Sequence, residues 1–467
     1  MKILELFEHD QIKLSRSDFV DQLSSDGNST EAESIAELIA TYPNGELHRF
    51  HPLGNEQPAA IVVHKSGGVN FVLKFTSHFF VGIDWIIPGK LAVRVRPKID
   101  KKSISNHDTE SFLEVDVLGM LNEVVSANLE SRHYDGLITF PSDSSPIEKG
   151  GDTIGAYQFL IAQYLSLLKR LVQKGLRRQY VAHEEIYKRK LRGRILWSKT
   201  FSKPSAHLAD RIACEPVIFT QDTDENRYLK AGLNAAGVTM GKLPSGLKSD
   251  ALRQQFRYVL KGFEEVSDTD ESTRPRFVKT NPVFKDYSSA IEMTRNIFSM
   301  DSIGFARTQN QATVLPHWLY MPKLFELYVY AKLLATKQPG DQLTYHLQVG
   351  RQELDYLCNV NAFKETVIKS PYAIVDAKYK LRYDNNSVTI DRDDARQLSG
   401  YARFRPVFDK LNEWGMPKQE TEPTIPCLIV HPTLNPLAPT SIDFSRIRES
   451  NNWLEFYLLD IRLPILQ

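Results

Sequence analysis

The sequence predicts a multidomain α+β protein with a β-rich amino-terminal module, a mainly helical middle domain and a carboxy-terminal α/β domain. Apolar residues alternate along the first hundred residues, which is typical of strands, and then recur with the helical period of 3.6. In the last third, apolar strands end in charged residues. A chain of 467 residues is long enough for about three domains. We place these domains at residues 1–105, 106–302 and 303–467.

Strand patterns dominate the first of these segments. Val69–Leu73 and Leu91–Arg96 alternate between apolar and other residues, and the glycine pair Gly67–Gly68 is typical of a turn between strands. A helical pattern within 17–42 interrupts them. The segment is therefore predicted to be a small β-rich module, with a possible role in partner docking.

Helical periodicity begins near Thr109 and continues through the middle segment. A strong amphipathic helix is predicted from Phe159 to Lys174, where Gly175 ends it. Further helices are predicted at 226–240, 249–266 and 285–299. The middle domain is thus expected to be mainly helical.

Composition excludes several classes of protein. The formal net charge is +1, so a nucleic-acid-binding surface would have to be local. No apolar run approaches the roughly 18 residues of a membrane-spanning helix. The three cysteines are too far apart in sequence for a metal-ligand cluster and too few for a disulfide framework. We expect a cytoplasmic protein with no membrane partner.

The strongest chemical signal is the segment Tyr372–Lys380, an apolar strand that ends in alternating charges. A period of two places Asp376, Lys378 and Lys380 on one face. A second strand pattern, Gln352–Asn359, carries Asp355. Pairing of these strands would bring two carboxylates and an ammonium group together.

This combination suits phosphodiester hydrolysis. Carboxylates bind hard cations such as Mg²⁺, for which Mn²⁺ can substitute, and the cation polarises phosphate and lowers the pKa of its water. Asp355, Asp376 and the backbone carbonyl of Ala377 are the predicted metal ligands. Lys378 is predicted to orient the attacking water or to stabilise developing negative charge.

An Asp-X-Lys triplet alone is common, so the prediction depends on an ordered set of residues. Glu326 on a predicted helix comes first, then the acidic pair with Lys378, then Gln397 and Tyr401. These last two are four residues apart and share a helix face. Glu326 could instead be solvated, and Gln397 and Tyr401 could be a surface and a core residue. The complete set predicts a restriction-endonuclease-like nuclease domain of the PD-(D/E)XK type, with all six residues at its catalytic centre.

A second signal is the basic stretch from Lys169 to Arg211, with 13 basic and 3 acidic residues. We interpret it as a basic helix and loop that could follow a phosphate backbone. A solvated helix face with salt bridges is an equally open alternative. Tryptophans, including Trp197, are expected in apolar cores. The candidate DNA-binding residues are Arg177, Arg178, Lys188, Arg189, Arg192 and Arg194.

Several stretches together resemble the McrC family, the nuclease subunits of McrBC-type modification-dependent restriction systems. The strand Val375–Lys380, followed by Asp393-Asp394 and the helix with Gln397 and Tyr401, carries the most specific similarity. Further similarity lies in the stretches Gly175–Tyr180, Leu191–Ile195 and Ile87–Ile99.

The resemblance implies a double-stranded DNA substrate, either base-modified or unmodified, and an McrB-like AAA+ ring that hydrolyses GTP or ATP. It also implies that the amino-terminal part docks on that ring, in an anti-phage defence complex. Two alternatives remain open at this stage. One is a RecB-like repair exonuclease that needs no GTPase, and the other is a catalytically silent DNA-binding or assembly subunit.

Overall fold

The structure is a computed structural model. No helix in the described part of the chain is both long and apolar enough to cross a bilayer. The described residues are 1–24, 29–51, 59–99, 115–127, 129–141, 145–148, 154–201, 211–242, 250–269, 285–303, 313–349, 352–383, 388–416, 424–433, 435 and 437–465.

The β-rich prediction for the amino-terminal segment is confirmed. Strands β2, β5, β4 and β3 form an antiparallel sheet in that order, and alternation along β4 buries Ile61 and Val63. A capping box at Ser15 and Asp18 begins the first helix. The elements are β1 (Lys2–Phe7), β2 (Gln11–Ser15), α1 (Arg16–Leu23), α2 (Ser29–Thr41), β3 (Gly45–Phe50), β4 (Ile61–Ser66), β5 (Val72–Ser77), β6 (Phe80–Ile87) and β7 (Leu91–Arg96).

The helix predicted to start near Thr109 is described only from residue 115 onward. It begins at Val117, where the Asp116 carboxylate accepts a hydrogen bond from the Gly119 amide at 2.7 Å. The predicted start itself lies outside the described residues. The elements here are α3 (Val117–Ser126), β8 (Ile138–Thr139) and β9 (Ile147–Glu148).

Residues 157–309 form a compact unit of their own. The predicted helices are present, and Gly175, in the left-handed region at φ +89°, follows the end of the first. The elements are α4 (Ile154–Lys174), β10 (Gln179–Ala182), β11 (Glu185–Lys188), β12 (Arg194–Ile195), α5 (Trp197–Phe201), β13 (Arg211–Glu215), β14 (Val217–Thr220), α6 (Asp224–Lys242), α7 (Asp250–Gly262) and α8 (Lys285–Ile303).

The basic stretch is not the helix and loop that the sequence predicted. Beyond Lys174 its described part folds mainly into two small antiparallel sheets, β10–β14 and β11–β13–β12. Aromatic residues pair across the first of these, since Tyr180 lies opposite Phe219. The strands are only two to five residues long and their residues are mostly exposed or half-buried, so an apolar period of two does not stand out in the sequence.

The carboxy-terminal part contains a mixed six-stranded sheet in the order β17–β18–β19–β20–β22–β21, in which β19, β20 and β22 are parallel. Leu398 and Leu411 from two helices share an apolar cluster with the sheet residues Ile374 and Ile429. The elements are β15 (Thr313–Val314), β16 (His317–Tyr320), α9 (Met321–Thr336), β17 (Gln342–Val349), β18 (Gln352–Asn359), β19 (Tyr372–Ala377), α10 (Arg392–Tyr401), α11 (Arg405–Glu413), β20 (Cys427–Thr433), β21 (Arg448–Glu449) and β22 (Phe456–Arg462).

The division into three consecutive domains needs correction. Strand β16 pairs with β6 and β8, which completes a sheet in the order β1–β7–β6–β16–β8. Residues 1–156 and 310–467 therefore form one compact unit, into which 157–309 is inserted. Local periodicity cannot reveal this arrangement, because a pairing between strands more than 200 residues apart leaves no mark on either strand. The α+β class itself is confirmed.

Candidate active site

Asp376 lies near the end of β19, in the interior of the six-stranded sheet. The strand is flanked by β18 and β20, and the Asp376 side chain is only 1% exposed. Apolar residues precede it, so the strand is held by burial on both faces. Burial raises the pKa of Asp376, while the nearby Lys378 opposes that shift.

Asp355 reaches the same point from β18. Its neighbour Tyr356 pairs with Val375, and its Oδ2 accepts a hydrogen bond from the Ala377 amide at 2.9 Å. Burial raises the pKa of Asp355 well above its ordinary value, and the negative charges of Asp376 and Glu326 raise it further. The strand pairing that the sequence predicts thus brings the two carboxylates together.

Lys378 lies just beyond the end of β19, not within it as the alternating pattern suggested. Its Nζ is 2.9 Å from Oδ2 of Asp376 and donates a hydrogen bond to Oε1 of Gln397 at 3.0 Å. Burial disfavours the charged amine, but Asp376 outweighs this effect and the net pKa of Lys378 is raised. The side chain is therefore a cation at neutral pH.

Gln397 and Tyr401 share one face of α10, as their spacing predicts. The Gln397 Nε2 donates to the Tyr401 hydroxyl at 3.1 Å, and that hydroxyl donates to the backbone carbonyl of Glu353 at 3.2 Å. This relay orients the amide so that its oxygen faces Lys378. Gln397 is exposed at the surface and Tyr401 is buried in an apolar cluster, as the surface-and-core alternative describes, and the hydrogen bonds link the two side chains.

Glu326 lies on α9 with a half-buried side chain. Its carboxylate is 3.5 Å from Nε2 of His346, whose Nδ1 is 3.3 Å from the Glu353 carboxylate. The Tyr356 hydroxyl donates to the Glu326 backbone carbonyl at 2.6 Å, which holds this turn of the helix against β18. The fully solvated alternative for Glu326 is therefore wrong. His346 was missed because a lone histidine on a strand carries no signal of its partners.

A second ion pair stands beside the centre. Both oxygens of Asp394 accept hydrogen bonds from Nζ of Lys380, at 2.6 and 2.9 Å, and the Tyr383 hydroxyl donates to the same carboxylate. Asp394 is only 4% exposed although it lies on a polar helix. Lys380 thus points to α10, while Lys378 alone faces Asp376. Asp394 is three residues before Gln397, which is the spacing of one helix face.

The residues around Asp376 suit a divalent cation. Oδ2 of Asp376 is buried and, despite its proximity to Lys378, has no aligned hydrogen-bond partner within the described residues. Mutual repulsion between the acidic groups would be relieved by a cation between them. Among the residues that the structure describes, no three His, Cys, Asp or Glu side chains converge as a complete ligand set. The two aspartates would therefore need a backbone oxygen, such as that of Ala377, and water.

The family described as "McrBC 5-methylcytosine restriction system component" matches residues 87–407, which include all six predicted catalytic residues. The chain belongs to this family. No curated protein matches the chain significantly.

Two solved assemblies resemble this McrBC family member at 15% identity. One is a half-complex from a tetradecameric assembly of Thermococcus gammatolerans McrB AAA+ hexamers with bound McrC, with 98% of this chain and 94% of that chain covered at a TM-score of 0.36. The other is the cryo-EM structure of the Thermococcus gammatolerans McrBC complex, with 72% and 89% covered and a TM-score of 0.29.

The basic stretch of this McrBC family member is only partly available for a ligand. Arg177 forms an ion pair with Glu225 at 3.1 Å, and Lys174 pairs with Asp286 at 2.7 Å. These pairs agree with the salt-bridge alternative for the beginning of the stretch. The other candidate residues, Arg178, Lys188, Arg189, Arg192 and Arg194, have exposed side chains around the two small sheets.

Aromatic side chains accompany these cations on the surface. Trp197 is 58% exposed and stacks on Phe201, with ring centroids 5.8 Å apart, while Tyr180 contacts Phe219 at 4.9 Å. The expectation that tryptophans lie in cores holds for Trp318 but is wrong for Trp197. The strands of the small sheets have mostly exposed or half-buried residues, so the aromatic side chains around them are not covered by a core.

The raised pKa of Asp355 predicts that its ionisation destabilises the metal-free fold. At neutral pH, ionisation of Asp355 is less favourable in the native state than in the unfolded chain, which lowers the free energy of unfolding. This destabilisation disappears once the pH falls below the ordinary Asp pKa of about 4. Asp355→Asn should therefore raise the melting temperature by a few degrees at pH 7 in chelator. At about pH 3, below the ordinary Asp pKa, the variant and the wild type should melt alike. A lower melting temperature for the variant at pH 7 would contradict this account.

Proposed function

We propose that this chain is an McrC-type nuclease subunit, a Mg²⁺-dependent DNA endonuclease of the PD-(D/E)XK type that cuts when assembled with an AAA+ partner. The observation that carries the proposal is the convergence of Asp355 and Asp376 at the end of a buried strand, with the Lys378 ammonium 2.9 Å from Asp376. Family membership independently supports a role in restriction.

Each residue has a defined task in the proposed mechanism. Asp355 and Asp376 would hold Mg²⁺, with Mn²⁺ as a substitute and with the Ala377 carbonyl as a further ligand. When bound, the ion polarises the phosphate and lowers the pKa of water. Lys378 keeps its proton and stabilises the negative charge that develops on the phosphate. Gln397 orients this ammonium group.

The remaining predicted residues support this arrangement. Tyr401 fixes the amide of Gln397, and Glu326 adds negative charge beside Asp355. We therefore propose an electrostatic role for Glu326 at the centre. This division of tasks explains why the ordered set extends over two helices and two strands.

An AAA+ ring is the proposed motor. The sequence contains no phosphate-binding loop, and its nearest approach, Gly237–Lys242, lies within helix α6. McrC is bound to McrB AAA+ hexamers in the archaeal assembly described above. We propose a corresponding McrB-like partner for this chain, fuelled by GTP or ATP.

The decisive experiment measures plasmid cleavage by the purified chain with and without its AAA+ partner. Reactions contain Mg²⁺, GTP or ATP, and methylated or unmethylated circular and linear DNA. Cleavage that requires both partner and nucleotide supports the proposal. Digestion of linear ends by the chain alone would instead indicate the RecB-like exonuclease, and no cleavage in any combination would indicate a silent assembly subunit.

We further propose that the exposed cations of the small sheets contact DNA phosphate. Reversal of Arg178, Lys188 and Arg192 to Glu should weaken DNA binding at least about tenfold at low salt and flatten its salt dependence, because each lost phosphate contact lowers the number of released counterions. Arg177 is left intact because it pairs with Glu225. The matched control reverses Lys13, Lys74 and Lys90 of the amino-terminal module. Unchanged affinity in the first triple variant would exclude this surface.

A further inference from the structure

The backbone that carries Lys378 leaves the sheet. Strand β19 ends at Ala377, after which the Lys378 amide donates to the Val430 carbonyl at 2.9 Å and the Lys380 amide donates to the Lys378 carbonyl at 2.7 Å. Tyr379, between the two lysines, is only 5% exposed. The amide side of Lys378 is therefore held by β20, and the backbone on its carboxyl side is held by what fixes Tyr379.

Two residues of the amino-terminal segment hold it. Glu8 follows β1 and Lys98 follows β7. The Tyr379 hydroxyl donates to Oε2 of Glu8 at 3.2 Å, and the Lys98 amide donates to the same oxygen at 3.1 Å. Nζ of Lys98 donates to the Tyr379 backbone carbonyl at 2.8 Å and lies 4.1 Å from the centroid of its ring. We call these three residues the Tyr379 clamp.

Burial of the charged groups of the clamp is unfavourable in free energy unless they form their hydrogen bonds and ion pair. Glu8 is 1% exposed, and burial lowers the pKa of Lys98, an effect that Glu8 opposes and Lys380 reinforces. A buried ammonium group is tolerated where it is hydrogen-bonded and paired. On its other side the Tyr379 ring contacts Phe325, the neighbour of Glu326, at 5.8 Å between centroids. The clamp thus joins the amino-terminal segment to both the Lys378 and the Glu326 sides of the centre.

We propose that Lys98 and Glu8 are positioning residues of the nuclease centre. By fixing the Tyr379 carbonyl and hydroxyl, they set the backbone from which Lys378 reaches Asp376. The inference rests on the proposed nuclease function and extends it to residues outside the carboxy-terminal third. It also gives the Ile87–Ile99 stretch, which contains Lys98, a task beyond partner docking.

The test uses Lys98→Met in the full chain with its AAA+ partner. Single-turnover cleavage should fall about 10- to 100-fold, since small displacements of a catalytic group have effects of this size, while the KM for DNA should change less than about twofold. Tyr379→Phe, which loses the hydroxyl that donates to Glu8 but keeps the carbonyl that accepts from Lys98, should show a smaller loss. Lys98→Arg, which keeps a donor, should recover part of the rate. Lys74→Met, at an exposed position of β5, is the matched control.

Two readouts separate positioning from general stability. Lys98→Met should not slow a Lys378→Ala variant further, because the clamp acts through Lys378. Hydrogen exchange at the Lys378 and Lys380 amides should increase while exchange in β20 and β22 stays the same. Wild-type cleavage by Lys98→Met, or an equal slowing of the Lys378→Ala variant, would overturn the inference. If the wild type does not cut DNA at all, the proposed function fails, and the exchange measurement alone decides the clamp.

Discussion

Asp376→Asn and Lys378→Ala should each reduce DNA cleavage by at least about 10³-fold without preventing folding or partner assembly. Loss of the Asp376 charge would remove a proposed metal ligand, and loss of Lys378 would remove the cation beside Asp376 that we propose faces the reacting phosphate. The two losses should be far from additive, because both residues act on the same phosphate. The measurement is single-turnover plasmid cleavage with the AAA+ partner at saturating Mg²⁺.

The control for this experiment is Asp393→Asn. This side chain lies on α10 near Gln397 but is 88% exposed, and it pairs only loosely with Arg396 at 3.7 Å. The Asp393→Asn variant should cut DNA at the wild-type rate. Retained cleavage by both Asp376→Asn and Lys378→Ala would show that the catalytic centre lies elsewhere in the chain.

The largest effect on stability is expected from Asp394→Ala. The buried carboxylate accepts two hydrogen bonds from Lys380 and one from Tyr383, so its removal leaves both donors without this partner. Lys380 is 39% exposed and can be partly rehydrated, so we expect a loss of about 2–3 kcal/mol in the free energy of unfolding. Denaturant unfolding monitored by fluorescence measures this difference.

Asp393→Ala provides the matched comparison for stability. It removes the adjacent carboxylate, whose ion pair is exposed and should contribute less than about 0.5 kcal/mol. Equal unfolding midpoints for Asp394→Ala and Asp393→Ala would show that the Lys380 pair contributes nothing to the fold. The pair would then have to serve only the local geometry of the centre.

Much of the candidate centre is predictable because its signals are local. The apolar run before Asp376 predicts the strand, and the spacing of Gln397 and Tyr401 predicts a shared helix face. Both follow from periodicities of two and 3.6 residues. The structure brings these residues together, and their catalytic roles remain predictions.

The features that the sequence did not predict depend on contacts between residues that are far apart in the chain. Lys378 and Lys380 were placed on one face, but the strand ends at Ala377 and the two ammonium groups face different carboxylates. His346 on β17 becomes meaningful only when α9 and β18 place two carboxylates around its ring. The five short strands described within 179–220 were not predicted because each has only two to five residues and little buried apolar surface. Each of these features is set by tertiary contacts and not by local propensity.

The position of strand β16 in the sequence determines when its sheet can form during synthesis. During synthesis the first strands of its sheet leave the ribosome long before His317–Tyr320, and the whole insertion at 157–309 must emerge between them. Until then β6 presents an unpaired edge where β16 will lie. The inserted unit can fold as soon as it emerges, whereas the proposed nuclease centre and the sheet of β16 wait for nearly the entire chain. A chain that stalls before residue 317 therefore leaves this sheet incomplete and lacks every residue of the proposed centre.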